Sequence, residues 1–133
     1  MEATFDIMAD PASGMLRITI GGFFAPPDIA RLAAAIGNGL ARLETPPNQH
    51  GTLVDMRNVD IQSSEAVAEF QRILADPRNA ASCIAFVVAK SLAAMQVRRA
   101  AAGRVARYFD TIEAAEAWLR STDLDTAPRR SVG

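Results

Sequence analysis

The stretch that decides the fold runs from Gly51 to Glu65 and reads Gly-Thr-Leu-Val-Asp-Met-Arg-Asn-Val-Asp-Ile-Gln-Ser-Ser-Glu. Its apolar start, Thr52-Leu-Val54, is short and is followed by Asp55, which is typical of a strand buried on both faces. The polar residues after Val54 predict that the strand ends there and passes into a turn. The stretch therefore predicts a buried strand, a polar rim and the start of a helix.

The helix start is predicted from the serine pair at the end of this stretch. Ser63 or Ser64 can cap a helix, because a hydroxyl oxygen accepts hydrogen bonds from the free N–H groups of the first turn. Glu65 adds a negative charge near the positive end of the helix. The apolar residues that follow, from Val67 to Leu74, recur at helical spacing and form one buried face.

The same order of strand, turn and helix continues on both sides of this stretch. Upstream, strands near Phe5 and from Met15 form a hairpin around a turn rich in Pro, Ser and Gly, and a helix follows. Downstream, strands are predicted at Cys83–Ala89 and Arg104–Phe109, each followed by a helix. We predict an α/β fold with a mostly parallel sheet, an antiparallel N-terminal edge strand and four helices. Residues 1–121 are predicted to form one domain, and residues 122–133 a flexible tail.

The composition excludes several classes of function. The chain has 133 residues, 50% of them hydrophobic and 22% charged, with a net charge of −1, so no global charge favours nucleic acid. Cys83, the single cysteine, excludes an internal disulfide and a cysteine metal cluster, and indicates the cytoplasm. No apolar run reaches the length of about 20 residues that a transmembrane segment needs. Cys83 and the lone His50 are interpreted as an inert core residue and a surface residue.

Enzyme motifs are absent from the sequence. It contains no Gly-x-Gly-x-x-Gly, no phosphate loop and no Gly-x-Ser-x-Gly, and one histidine leaves little scope for a catalytic triad. We therefore expect no catalytic residues, no metal site and no cofactor. An enzyme that uses Asp55, Asp60 and Ser64 is the least favoured hypothesis.

A binding site is predicted at the edge of the sheet where parallel strands end together. Helix N-termini at this edge present free N–H groups, which favour anions modestly. The polar residues expected there, which we call the rim, are Arg57, Asn58, Asp60, Ser63, Ser64 and Lys90. The alternative interpretation is a solvated turn with one local ion pair, which contributes about 0–1 kcal/mol when exposed.

Two other clusters have alternative interpretations. Phe23-Phe24 belong either to the core or to an exposed apolar lip that suits a lipid or a protein partner. The basic residues Arg98, Arg99, Arg104 and Arg107 form either a solvated face or a contact for an acidic partner.

The element order and the central stretch together resemble the STAS domains, and among them the SpoIIAA-like branch of small free-standing proteins. Leu53-Val-Asp-Met-Arg-Asn-Val59 matches the strand and polar turn of the family, and Gln62-Ser-Ser-Glu65 stands where the family has Asp-Ser-Ser-Gly. The closing segment from Tyr108 to Leu119 is also similar to this branch.

The resemblance implies a sheet with strands in sequential order and a role in regulation or ligand binding without catalysis. The partners that it implies are a protein, a small anionic or lipid ligand, or a second copy in a homodimer. In the anti-sigma-factor antagonists of this family a serine is phosphorylated, and Ser64 matches its place. Gln62 and Glu65 depart from the motif, and the carboxylate of Glu65 would repel a phosphate on Ser64. A phosphorylation-controlled antagonist is therefore the alternative hypothesis.

Overall fold

The computed structural model describes residues 2–43, 50–76, 81, 83–89, 95, 96, 98 and 105–121, and shows a five-stranded mixed sheet. The strands are β1 (Thr4–Asp10), β2 (Met15–Gly22), β3 (Gly51–Val59), β4 (Cys83–Val87) and β5 (Ala106–Phe109). The helices with described bounds are α1 (Pro26–Leu43), α2 (Ser64–Ala75) and α3 (Ile112–Ser121). The predicted tail from residue 122 lies outside the described residues, and so does most of the helix predicted after β4, of which Met95, Gln96 and Arg98 are helical.

The strands lie in the order β1-β2-β3-β4-β5, so the chain builds the sheet from one edge to the other. β1 pairs with β2 in antiparallel orientation, and the other neighbours are parallel. This confirms the predicted α/β class, the parallel sheet and the antiparallel N-terminal edge strand. No helix among the described residues is long and apolar enough to cross a membrane.

Each face of the sheet has its own apolar cluster, because side chains alternate along a strand. On one face, Ile18, Val54 and Phe86 pack with residues of α1 and α2. On the other face, Leu53 and Val87 pack with residues of α3. Two of the described helices therefore cover one face and α3 covers the other.

The prediction that the central strand ends at Val54 is wrong, since β3 continues to Val59. The polar residues beyond Val54 remain paired because β2 is long enough to reach them. Thr19 pairs with Asp55 and Gly21 pairs with Asn58, so β3 contains one residue more than β2 between these pairs. Such a β-bulge re-aims the side chains that follow it.

The prediction that His50 is a surface residue is also wrong, since only 1% of its surface is exposed. His50 lies directly before β3, at the amino end of the sheet, where a single polar side chain among turn residues gives no sign of burial. Its burial lowers the pKa of the imidazole, because the charged form is poorly solvated inside the protein.

The buried imidazole predicts a pH dependence of stability. His50 is neutral in both states above its ordinary pKa of about 6.5. Below that pH the unfolded chain takes up the proton first, so the free energy of unfolding should fall by about 1.4 kcal/mol per pH unit until the folded pKa is reached. Urea unfolding at pH 7.5 and 5.0 measures this loss. His50→Gln should show a smaller loss over the same interval, and equal losses in the two proteins would contradict the prediction.

Candidate functional site

The carboxyl edge of the parallel strands is held together by the side chain of Gln62, which is 8% exposed. Its Oε1 accepts a hydrogen bond from the backbone N–H of Phe24 at 2.8 Å. Its Nε2 donates to the carbonyl oxygens of Gly22 at 2.9 Å and Asp60 at 2.6 Å. One amide thus satisfies three backbone groups at the carboxyl ends of β2 and β3.

A second glutamine extends this arrangement to the helix after β4. Gln96 Oε1 accepts from the backbone N–H of Gln62 at 2.7 Å, and Gln96 Nε2 donates to the Gln62 carbonyl oxygen at 2.8 Å. We call the two glutamines with their backbone partners the glutamine clasp. In the sequence, Gln62 is marked only as a departure from the family motif, and no local pattern marks Gln96.

Gly22 gives the clasp the backbone geometry that it needs. Its φ of 81° lies in the left-handed region, which side chains other than glycine rarely adopt. In this conformation the Gly22 carbonyl oxygen accepts from both the Asp60 N–H, at 3.1 Å, and Gln62 Nε2. Gly22, the last residue of β2, therefore also positions an acceptor for the next loop.

The predicted rim is divided between the two faces of the sheet. Asp55 follows Leu53 by two positions, which places it on the α3 face, and Arg57 binds it there through Nε at 2.9 Å and through a second nitrogen at 2.8 Å. Asn58 is exposed and lies beside Gly21. Ser63 and Ser64, in contrast, stand at the start of α2, which packs on the other face.

The ion pair between Asp55 and Arg57 decides the electrostatics of its part of the rim. The bidentate hydrogen bond from Arg57 lowers the pKa of the Asp55 carboxyl, and Asp55 raises the pKa of the guanidinium. Glu113, near the start of α3, adds to the second effect. Because Arg57 is neutralised locally, it adds little to the attraction of anions.

The remaining rim residues have different roles. Asp60 is half-buried and faces the cavity between the sheet and α2. Ser63 is the N-cap of α2, with its hydroxyl oxygen 3.1 Å from the N–H of Ala66. Ser64 is exposed, and its hydroxyl donates to the Glu65 carboxylate at 3.2 Å. Lys90 lies outside the described residues.

The capping geometry predicts different effects for the two serines. Ser63→Ala should lower the free energy of unfolding by about 1 kcal/mol, because the N–H of Ala66 loses its acceptor. Ser64→Ala should change it by less than about 0.5 kcal/mol, since an exposed hydroxyl is lost and alanine favours a helix. Paired denaturant unfolding curves measure both values. A larger loss for Ser64→Ala than for Ser63→Ala would contradict the observed cap.

The two neighbouring phenylalanines, for which the sequence allowed either a core position or an exposed one, lie in different environments. Phe24 is 1% exposed and packs edge-on against Phe70, with ring centroids 5.6 Å apart. Phe23 is 44% exposed. Phe24 therefore belongs to the core, while Phe23 forms part of the apolar surface.

The described arginines of the predicted basic cluster stack on aromatic rings. The Arg98 guanidinium lies 4.2 Å from the centre of the Tyr108 ring, and that of Arg107 lies 5.8 Å from the centre of the Trp118 ring. Arg99 and Arg104 lie outside the described residues. Cation–π contacts account for the positions of Arg98 and Arg107 without an acidic partner.

Comparison with known proteins relates this architecture to solved structures. No described protein family and no curated protein matches the sequence. The chain is similar in structure to an uncharacterised DUF3478-family protein with a SpoIIAA-like fold from Shewanella loihica, with a TM-score of 0.66 and 18% identity, over 88% of this chain and 93% of that one. It is also similar to an anti-sigma factor antagonist from Mycobacterium paratuberculosis, with a TM-score of 0.57 and 13% identity, over 90% of this chain and 95% of that one.

Both similarities extend over nearly the whole of each chain at low sequence identity, which relates the proteins through their fold. They confirm the resemblance predicted from the central stretch and the order of elements. The chain has the SpoIIAA-like fold.

Proposed function

We propose that the chain is a cytoplasmic regulatory module without catalytic activity, which binds a protein partner at the carboxyl edge of its sheet. The observation that carries this proposal is a set of three exposed apolar side chains around the glutamine clasp. Phe23, Ile61 and Met95 are 44%, 52% and 59% exposed. We call these three residues the apolar triad.

The triad residues are brought to one region by the clasp. Phe23 precedes Phe24, Ile61 precedes Gln62 and Met95 precedes Gln96, and the hydrogen bonds of the clasp connect these three neighbours. Since consecutive Cα atoms are about 3.8 Å apart, the backbone of each triad residue lies next to a residue of the clasp. Exposed large apolar side chains that lie together are typical of protein interfaces.

The geometry around the serines supports a binding role over catalysis. Asp55 is held ionised by Arg57, which makes its carboxylate a weak base, and it lies on the opposite face of the sheet from Ser64. Ser64 itself contacts Glu65 and lies at the surface. The described residues also contain no group of His, Cys, Asp and Glu that could hold a metal ion.

The partner surface can be tested by site-specific photo-crosslinking in the source cells. A photoreactive phenylalanine analogue at Phe23 should capture a discrete partner, while the same analogue at Met8, which is 56% exposed on the edge strand β1, should not. Calorimetry with the purified partner should then show binding at least about fivefold weaker for Ile61→Ser, because loss of an important apolar contact costs about 1 kcal/mol or more. Equal capture at both positions, or unchanged affinity of Ile61→Ser, would contradict the proposal.

A phosphorylation-controlled antagonist is a second candidate, favoured by the exposure of Ser64 at the first residue of α2. A phosphate there would lie at the positive end of the helix, which stabilises it, and beside Glu65, which repels it. The structural neighbour named as an anti-sigma factor antagonist suggests an anti-sigma factor as the partner.

The phosphorylation hypothesis predicts that Ser64→Asp weakens partner binding and that Ser64→Ala binds like the wild type. Ser13, exposed in the turn between β1 and β2, is a matched control in which neither change should alter binding. Equal affinities of Ser64→Asp and Ser64→Ala for the captured partner would sink the hypothesis, while the partner surface would remain.

A further inference from the structure

An apolar cavity lies between the sheet and the two helices on its α1 and α2 face. Its volume is about 80 Å³, and a second cavity of about 50 Å³ adjoins it, lined by several of the same residues. The residues common to both are Ile18, Ile36, Val54, Ile73 and Leu74. Together these two cavities form a slot that runs along the strands beneath α2.

The slot reaches the carboxyl edge at a polar end. There the first cavity is lined by Asp60, Gln62 and Gln96, and beyond them its described lining is apolar, with Phe70 and Phe86 among the larger side chains. Asp60 and Gln96 are half-exposed, so solvent reaches this end. A molecule could therefore enter beside the glutamine clasp and place its apolar part beneath α2.

The polar end also determines the charge of the occupant. Its two side-chain amides are already held in the clasp, and Gln96 Nε2, which donates to the Gln62 carbonyl oxygen, has a second N–H. No lysine or arginine is among the described lining residues, so a carboxylate at this end would lose its hydration without a described cation to pair with. A hydroxyl group is therefore more favourable than a carboxylate at the polar end of the slot.

We propose that the slot binds a small neutral molecule with an apolar body and one hydroxyl group, which lies next to Asp60 and Gln96. An engineered apolar cavity of about 150 Å³ holds benzene, and the two cavities combined approach that size. The occupant is thus on the order of six to eight non-hydrogen atoms, as in a short alkyl alcohol or a phenol. This site is distinct from the apolar triad, which faces outward.

The test compares 1-hexanol with hexanoate in methyl NMR titrations of the full chain. Hexanol should cause saturable shifts in the methyl groups of Ile18, Ile73 and Leu74, with a dissociation constant on the order of 1 mM for a ligand of this size. The methyl groups of Leu53 and Leu119, on the α3 face, serve as an internal reference and should not shift. Hexanoate, which has the same chain length and a negative charge, should bind at least about tenfold more weakly.

A variant that fills the slot separates binding from general surface effects. Val67 is 7% exposed and lines the larger cavity. Val67→Phe should abolish the hexanol shifts, and Val67→Ile, a smaller addition that is easier to accommodate, should weaken them while the remaining spectrum stays native. Unsaturable shifts, shifts of equal size on both faces, or unchanged binding in Val67→Ile would show that the cavities are packing voids only. Equal binding of hexanoate would overturn the neutral class.

The outcome is independent of the proposed partner surface. Crosslinking from Phe23 reports the outward-facing triad, and hexanol titration reports the slot beneath α2. Failure of one experiment therefore leaves the other proposal standing.

Discussion

Phe86→Ala is expected to lower the free energy of unfolding by roughly 3–5 kcal/mol, the usual cost of removing a buried aromatic side chain. Phe86 is 3% exposed in β4, and its ring stacks on Tyr108 with centroids 5.4 Å apart. The substitution removes this stacking and leaves a cavity next to the existing slot, which the surrounding sheet cannot close. Urea unfolding at constant pH measures the change.

The matched control is Phe23→Ala, which removes the same group from an exposed position. Phe23 is 44% exposed, so we expect a loss below about 1 kcal/mol. A loss below about 1 kcal/mol for Phe86→Ala would show that β4 is not the centre of the core. Similar losses for both variants would contradict the observed burial.

Gln62→Leu is expected to destabilise the protein by about 2–4 kcal/mol. The substitution keeps a side chain of similar size but removes three hydrogen bonds, each of which contributes about 1 kcal/mol, and leaves buried backbone groups such as the Phe24 N–H without an acceptor. Asn38→Leu, which replaces an amide by leucine at an exposed position of α1, is the matched control and should change stability by less than about 0.5 kcal/mol.

Gln62→Glu tests the direction of these hydrogen bonds. A carboxylate at this position would face the carbonyl oxygens of Gly22 and Asp60, where the amide now donates. The carbonyl oxygens should raise the pKa of the introduced carboxyl in the folded variant above its ordinary value of about 4.3. The unfavourable charged form is then present at pH 7, and it is lost as the pH falls through this raised pKa. The stability of the variant relative to wild type should therefore improve between pH 7 and pH 4.5. A constant difference over this interval would show that Gln62 does not donate to these carbonyl groups.

Most of the fold follows from local patterns in the sequence. The apolar run from Cys83 and the run of β-branched residues from Met15 both predict strands. The serine pair predicts the start of α2. A short chain with strands separated by helices has few topologies once crossovers are right-handed. The observed strand order, β1-β2-β3-β4-β5, is the sequential order that the family resemblance implied.

The arrangement of the rim could not be predicted from the sequence. The polar residues from Asp55 to Asp60 were interpreted as one turn, whereas β3 continues through them to Val59 and its side-chain alternation places Arg57 on the α3 face with Asp55. Strand pairing with β2 overrides the local preference of these residues for a turn, and that pairing is a contact across about 35 positions of the chain. Side-chain alternation can assign faces only where the register is known.

What the sequence determined by itself is the order, type and approximate place of the elements, because these depend on neighbours within a few residues. What only the tertiary structure decided is the burial of His50, the clasp between Gln62 and Gln96, and the slot beneath α2. A glutamine has the same local signature whether water or three backbone groups satisfy its amide. The choice is made by the segments that meet it from elsewhere in the chain, since a buried amide is stable only where those segments supply its hydrogen bonds.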